Sequence, residues 1–334
     1  MTIVEALKRR VPWSLRGRNA FLSAYGDSAL FGRVRRTPRV QSNPLSETGV
    51  HSAVPHRYLC AYLVTIKSLL HYQPDLAVFV HDDGSLTEED KILIRAHVDG
   101  VQIVDRAAAD RRFEERANDA FLAKVRCSYT SYLKLFDPTL MSDKRRIVIL
   151  DTDTLFLKRP TAVIDWSQSG GPPWYHRVHQ GRMKNSEGAL AKLARAQDVH
   201  IQTLITHDLD NINERLKKDY RFMPGFNSGF IGYEHGAVRF SELGKLFRLL
   251  HAQFADRIFR WGAEQTVHGL ILGSKGAQAL PLEEYFVFTQ QTVELAAKAT
   301  FLHFIGENRF YGMQYPSLAR RVIRELRESG AAKR

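Results

Sequence analysis

The sequence predicts an α/β protein built on a parallel, doubly wound sheet flanked by helices. Three observations predict it. Between Val50 and Val104, strand-length apolar runs alternate with helix-period segments in the order β-α-β-α-β. In the middle of the chain, Ile147-Val148-Ile149-Leu150 is a continuous apolar run rich in β-branched residues, which suits a strand covered on both faces. That strand ends on Asp151-Thr152-Asp153, and open α/β sheets bind ligands beyond the carboxyl ends of their strands.

Taken in order, residues 1–45 are a basic extension outside the sheet, with Lys8-Arg9-Arg10 and the Arg33–Arg39 segment set among apolar Trp13, Phe21, Leu22, Leu30 and Phe31. Such a segment either lies on an anionic bilayer or packs loosely on the domain as a solvated arm. Val50–Val54 is a short strand, and Leu59, Tyr62, Leu63, Ile66, Leu69 and Leu70 then share one face of a helix that Pro74 ends. Leu76–Val80 is the second strand. Its end, His81-Asp82-Asp83-Gly84, is a structural turn, and Ser85-Leu86-Thr87-Glu88 forms a capping box opening a helix to His97.

Val101–Val104 is the third strand. Phe121–Phe136 is one helix that buries Phe121, Val125, Tyr129, Tyr132, Leu133 and Phe136, with Arg126 and Lys134 off the buried stripe. After the central strand, the pattern weakens from Trp166 to Pro224, with a loop over Gln168–Pro173 and a helix over Asn185–Gln197. Gly225–Tyr233 is a glycine-crowded strand, and glycine inside a strand marks a close approach by ligand or backbone. Helices follow at Val238–Phe254 and Trp261–Leu272, strands at Tyr285–Phe288 and Thr300–Gly306, and a basic helix and tail from Pro316.

The chain's 334 residues suffice for one large or two ordinary domains, and 44% hydrophobic with 25% charged residues is a globular composition. No run of eighteen apolar residues spans a membrane, and Met1–Arg18 lacks the apolar region of a secretory signal. Cys60 and Cys127 sit in apolar helical patterns and are read as free buried thiols of a reducing, cytoplasmic compartment, which excludes a disulfide framework and a zinc cluster. The net charge of +12 favours anionic partners: phosphates, nucleic acid or an anionic membrane surface. No aromatics interleave with a basic patch, so nucleic acid is not expected.

Asp151 and Asp153 are two residues apart, and in an extended chain the pleat points both to one side. A divalent cation is the simplest relief of their repulsion, and hard cations such as Mg²⁺ and Mn²⁺ take carboxylate oxygens while leaving positions for substrate phosphates. An exposed Asp-Thr-Asp turn with no such role is the alternative, as a hydrogen-bonded core histidine is for His303 and a solvated charge is for Lys134 and Arg309.

Val148-Ile149-Leu150-Asp151-Thr152-Asp153, then Phe226-Asn227-Ser228-Gly229, then His303-Phe304-Ile305-Gly306-Glu307-Asn308-Arg309 resemble, in that order, the motifs of GT-A fold, metal-dependent nucleotide-sugar glycosyltransferases, nearest the retaining family 8 type. The resemblance covers about residues 48–312 and implies a Rossmann-like, mixed, mostly parallel sheet flanked by helices, with insertions on the acceptor side. It implies a nucleotide-sugar half at 46–165 and an acceptor half at 166–312, with a basic helix and tail at 313–334. It also implies that Asp151, Asp153 and His303 hold Mn²⁺ or Mg²⁺. Arg309 stands where the family has a phosphate-gripping lysine, followed by Phe310 and Tyr311 in place of Pro and Trp. Lys134 resembles the basic residue that pairs with a site carboxylate or the donor, and Tyr58 and Gly306 join it and Arg309 on the donor side.

Asn227 is similar to the asparagine facing donor sugar or acceptor, and Glu264-Gln265 takes the place of an Asp-Gln pair that touches the transferred sugar. The implied activity is hexosyl transfer from a nucleotide-diphosphate sugar, UDP-linked, to a glycan or lipid-linked hydroxyl, in the cytoplasm or at the inner membrane face. Two other readings stay open. Ile147–Leu155 also resembles the strand motif of haloacid-dehalogenase phosphatases, with Asp151 as nucleophile, although a whole β-α-β-α-β unit precedes it here and Asp208-Leu209-Asp210 is a poor second acidic motif. A non-enzymatic, basic anion-binding protein explains the charge but not the paired carboxylates.

Overall fold

The run Ile147–Leu150 alternates between two apolar layers: Val148 and Leu150 enter one buried cluster, Ile147 and Ile149 the other. That is why it carries no polar residue, and it sets the frame for the rest. A computed structural model of the protein describes residues 26–178 and 201–331. Its strands are β1 (Thr48–Val54), β2 (Ala77–Asp82), β3 (Gln102–Val104), β4 (Arg146–Leu150), β5 (Thr154–Phe156), β6 (Trp174–Val178), β7 (Phe226–Glu234), β8 (Gln278–Ala279), β9 (Tyr285–Val287) and β10 (Phe301–His303). They form one sheet in the order β3-β2-β1-β4-β7-β6-β9-β10-β5, with β8 pairing β6.

The β3-β2-β1-β4 half is parallel, as the alternating pattern predicts. The antiparallel pairs are β4 with β7, β7 with β6, and β10 with β5, so the sheet is mixed and mostly parallel. The antiparallel entry of β7 next to β4 brings the Asn227 motif beside the Asp motif.

The helices are α1 (Leu59–Leu70), α2 (Glu88–His97), α3 (Arg106–Ala117), α4 (Ala120–Ser128), α5 (Leu133–Met141), α6 (Thr161–Ser169), α7 (Ile201–His207), α8 (Leu209–Leu216), α9 (Phe240–Phe254), α10 (Ala263–Gly273) and α11 (Gln314–Ala331). Helix α1 is buried along its whole length. The segment Asp27–Arg36 covers it: Phe31 and Val34 join its apolar cluster, and the Asp27 carboxylate accepts from the N–H groups of Cys60 and Ala61 at 2.8 Å each, satisfying two free donors at the helix start. Residues 26–45 are therefore not a loosely held arm, and Val40 even bridges Val98. The rest of the predicted extension, and the helix predicted over Asn185–Gln197, lie outside the described residues.

Other expectations need correction. The capping box is Thr87 with Asp90, not Ser85 with Glu88: the Thr87 hydroxyl accepts from the Asp90 N–H at 3.2 Å, and the Asp90 carboxylate accepts from the Thr87 N–H at 2.9 Å. Ser85 is instead held by Asp83 in the turn after β2, a structural turn as predicted. The helix predicted over Phe121–Phe136 is two, α4 and α5, broken at an extended Tyr129. The Ser128 hydroxyl donates back to the Val125 carbonyl, offering the backbone an alternative to the helix ladder, and Thr130 and Ser131 follow. Tyr129 is exposed, whereas Arg126 and Lys134, expected off the buried stripe, are buried. Cys60 is a buried free thiol, but Cys127 is exposed. Among the described residues, no helix is long and apolar enough to cross a membrane.

Candidate metal centre

Strand β4 delivers Asp151, whose N–H donates to the Gly229 carbonyl of β7 at 2.8 Å. The chain does not stay extended beyond it. Thr152 and Asp153 form a turn, closed by the Thr154 hydroxyl donating to the Asp151 carbonyl at 3.1 Å. The Thr65 hydroxyl of α1 lies 3.0 Å from the Thr152 carbonyl and 2.6 Å from that of Thr154. So a buttressed turn, rather than the pleat, brings the two carboxylates to one side. Strand β10 brings the third group: the Phe304 N–H donates to the Asp153 carbonyl at 2.9 Å, placing His303 against the turn.

One donor atom from each of Asp151, Asp153 and His303 lies within 4.8 Å of the others. The Nε2 of His303 is 3.2 Å from an Asp153 oxygen and 3.7 Å from an Asp151 oxygen. Two carboxylates and an imidazole suit a borderline or hard divalent ion such as Mn²⁺ or Mg²⁺. Gly229 leaves room for the cluster, because a Cβ there would stand 2.2 Å from His303 Cε1 and 2.8 Å from Asp151 Oδ2. The residues present therefore fit a divalent metal.

Protein cations balance the acids. Lys134 Nζ is 2.6 Å from Asp151 Oδ1, 3.7 Å from Glu264 and 3.4 Å from the Ser228 hydroxyl. Burial would lower the Lys134 ammonium, but Asp151 and Glu264 outweigh it and hold it above its ordinary value. Arg309 forms an ion pair with Asp153 and lies with its guanidinium 4.8 Å from the Tyr58 ring centroid. Burial would raise the Asp153 carboxyl, but Arg309 and His303 hold it well below the usual carboxylate range.

Of the remaining predicted residues, Asn227 Oδ1 lies 3.1 Å from His303 Nδ1 and accepts from the Gly229 N–H at 2.9 Å. Glu264 is buried and turned to the Ser228 hydroxyl at 3.2 Å and His268 at 2.7 Å. Burial would raise its carboxyl, but Lys134 and His268 hold it down. Gln265 Oε1 sits 3.4 Å from the Ser228 N–H, and Gly306 has the left-handed φ of +53° where the chain turns from β10 toward Arg309. All ten predicted site residues thus lie on this one end of the sheet or on the elements that frame it. Sequence reasoning missed His176, whose Nε2 is 3.1 Å from His303 Nδ1. The aromatic run Trp174-Tyr175-His176 after Pro172-Pro173 was the available signal.

No protein-family model matches the sequence, and no curated protein matches it. Solved structures do. The bifunctional glycosyltransferase WbbM superimposes with a TM-score of 0.50 at 15% identity over 85% of this chain and 51% of that one, so the present chain matches about half of that structure. The galactosyltransferase LgtC, in complex with donor and acceptor sugar analogues, has a TM-score of 0.48 at 16% identity over 84% of this chain and 95% of that one. Mouse xyloside xylosyltransferase 1 has a TM-score of 0.44 at 14% identity over 77% and 96%. The likeness to WbbM is a likeness of fold. The mixed sheet and its flanking helices are those of the GT-A fold.

Proposed function

We propose that the protein is a glycosyltransferase that moves a hexose from a UDP-linked or similar nucleotide-diphosphate sugar to a glycan or lipid-linked hydroxyl. The observation that carries this reading is the meeting of Asp151 and Asp153 with His303, from the middle and the far end of the chain, beyond the central strand of a GT-A sheet. Asp151, Asp153 and His303 would hold Mn²⁺ or Mg²⁺, which supplies Lewis-acid stabilisation of the leaving diphosphate when bound. Arg309, stacked on Tyr58, offers a planar fork of donors that matches phosphate oxygens. Lys134, its ammonium held charged by Asp151 and Glu264, would add fixed positive charge beside the site where the diphosphate's charge develops.

Asn227 and Gln265 are assigned to the sugar and acceptor side, and Glu264 to the same wall. Gly306 and Tyr58 shape the donor side with Arg309. Retention at the anomeric carbon is part of the proposal and rests on the motif resemblance. So does the division into a donor half at 46–165 and an acceptor half at 166–312. Cytoplasmic work at an anionic membrane face is supported by Arg320, Arg324 and Arg327, exposed along α11.

The test is UDP release from a panel of nucleotide-sugars with and without Mn²⁺, for wild type and Asp153→Ala. One donor should be turned over only with the metal, and the variant should lose that turnover by at least ~10²-fold, the order set by removing a charge-stabilising group. Equal turnover by the folded variant overturns the assignment.

A further inference from the structure

His176 is fully buried, with its ring edge-on to Phe301 at 5.2 Å between centroids. It reaches this position through a break in the ladder. Tyr175 pairs with Ile231, but His176 pairs with Asn227, so Ser228, Gly229 and Phe230 are extra on β7. Such a bulge re-aims side chains. Here it brings His176 Nδ1 to 3.1 Å from the Phe230 carbonyl and Nε2 to 3.1 Å from His303 Nδ1. A carbonyl only accepts, so the His176 proton is on Nδ1, and the Nε2 of the neutral ring is an acceptor.

The second neighbour of His303 Nδ1 is also an acceptor. Asn227 Oδ1 is identified as oxygen because it takes the Gly229 N–H at 2.9 Å. Every partner of His303 Nδ1 thus calls for a proton there. The opposite nitrogen, Nε2, faces Asp151 and Asp153. A metal-binding imidazole is held in this way by the group on its other nitrogen.

We propose that His176 is the positioning residue of the metal centre: through its Nε2 it keeps the proton of His303 on Nδ1 and turns His303 Nε2 toward the two carboxylates. The inference rests on the metal-dependent reading above but has its own readout.

In the full-length ¹⁵N-labelled protein without metal, ring-nitrogen NMR should show His303 Nδ1 protonated, with the signal assigned by its loss in His303→Gln. His176→Phe, which leaves Asn227 Oδ1 as the remaining acceptor, should weaken that signature and bind Mn²⁺ about ten- to a hundredfold more weakly in calorimetry. His176→Gln, whose amide oxygen can accept in place of Nε2, should recover most of both. An unprotonated Nδ1 in the wild type overturns the proposal. So does a folded His176→Phe with wild-type Mn²⁺ affinity, or, should that variant not fold, a His176→Gln that folds but lacks the Nδ1 proton. A wild type with the expected ring signature that binds no Mn²⁺ instead refutes the metal-dependent reading and leaves the tautomer assignment standing.

Discussion

Asp151 and Asp153 would repel each other in a partly buried turn, yet each is met by its own cation, Lys134 or Arg309. Each acid thus has a cationic partner within the protein itself, and a third acid, Glu264, lies 3.7 Å from Lys134 as its second carboxylate. Gly229 is the steric counterpart of this arrangement. Gly229→Ala should cost about 1–3 kcal/mol by overpacking and weaken Mn²⁺ binding, because the clash falls on His303 and Asp151. Thermal denaturation with calorimetric titration checks it, and unchanged melting and affinity would contradict it. Asp151 and Asp153 were legible as a candidate metal pair because two acids end an apolar strand, whereas His303 entered the site only through the motif resemblance. The glycine-crowded strand already marked a close approach around Gly229, but His176 was not legible, since its role depends on a bulge between strands some fifty residues apart, which no local pattern records.

Among the elements, the break between α4 and α5 is a feature that a single helix would have erased. It lets Arg126 turn inward to Asp137 of α5, at 2.6 Å, while His81 of β2 approaches the same carboxylate at 3.4 Å. This buried network ties helix to sheet directly beneath the helix that carries Lys134. Burial would raise the Asp137 carboxyl, but His81 and Arg126 hold it below its ordinary value. Because the folded value is depressed, the stabilisation is complete above the unfolded value of about 3.9 and is lost as pH falls through the folded one. Asp137→Ala should therefore cost about 1.5–3 kcal/mol at neutral pH by removing the carboxylate that Arg126 and His81 share, with Asp110 left as the other partner of Arg126, and the gap should narrow in acid. Urea unfolding at pH 7 and pH 3 measures it, and a pH-independent gap would contradict the ion pair. The helix periodicity of this region was readable, but the break was not: hydroxyl residues weaken a helix without dictating where it stops. Strand β6 escaped for a related reason, since its Trp-Tyr-His-Arg-Val run lacks the clean alternation of a half-buried strand.

At the scale of the molecule, one sheet carries both the Asp motif near residue 150 and the His motif near residue 303, and the pairing of β10 with β5 closes the distance between them. The parallel β3-β2-β1-β4 half followed from the alternation of strands and helices, whereas the order β7-β6-β9-β10-β5 did not. Antiparallel insertion is decided by which apolar faces meet, and that is a non-local choice. The proposed activity requires those two distant motifs to share one cation. Crystals grown with Mn²⁺ and UDP, measured at the manganese absorption edge, test this most directly. One anomalous peak bonded to Asp151, Asp153 and His303 Nε2 is predicted. A peak elsewhere, or a manganese ion held without His303, would contradict it.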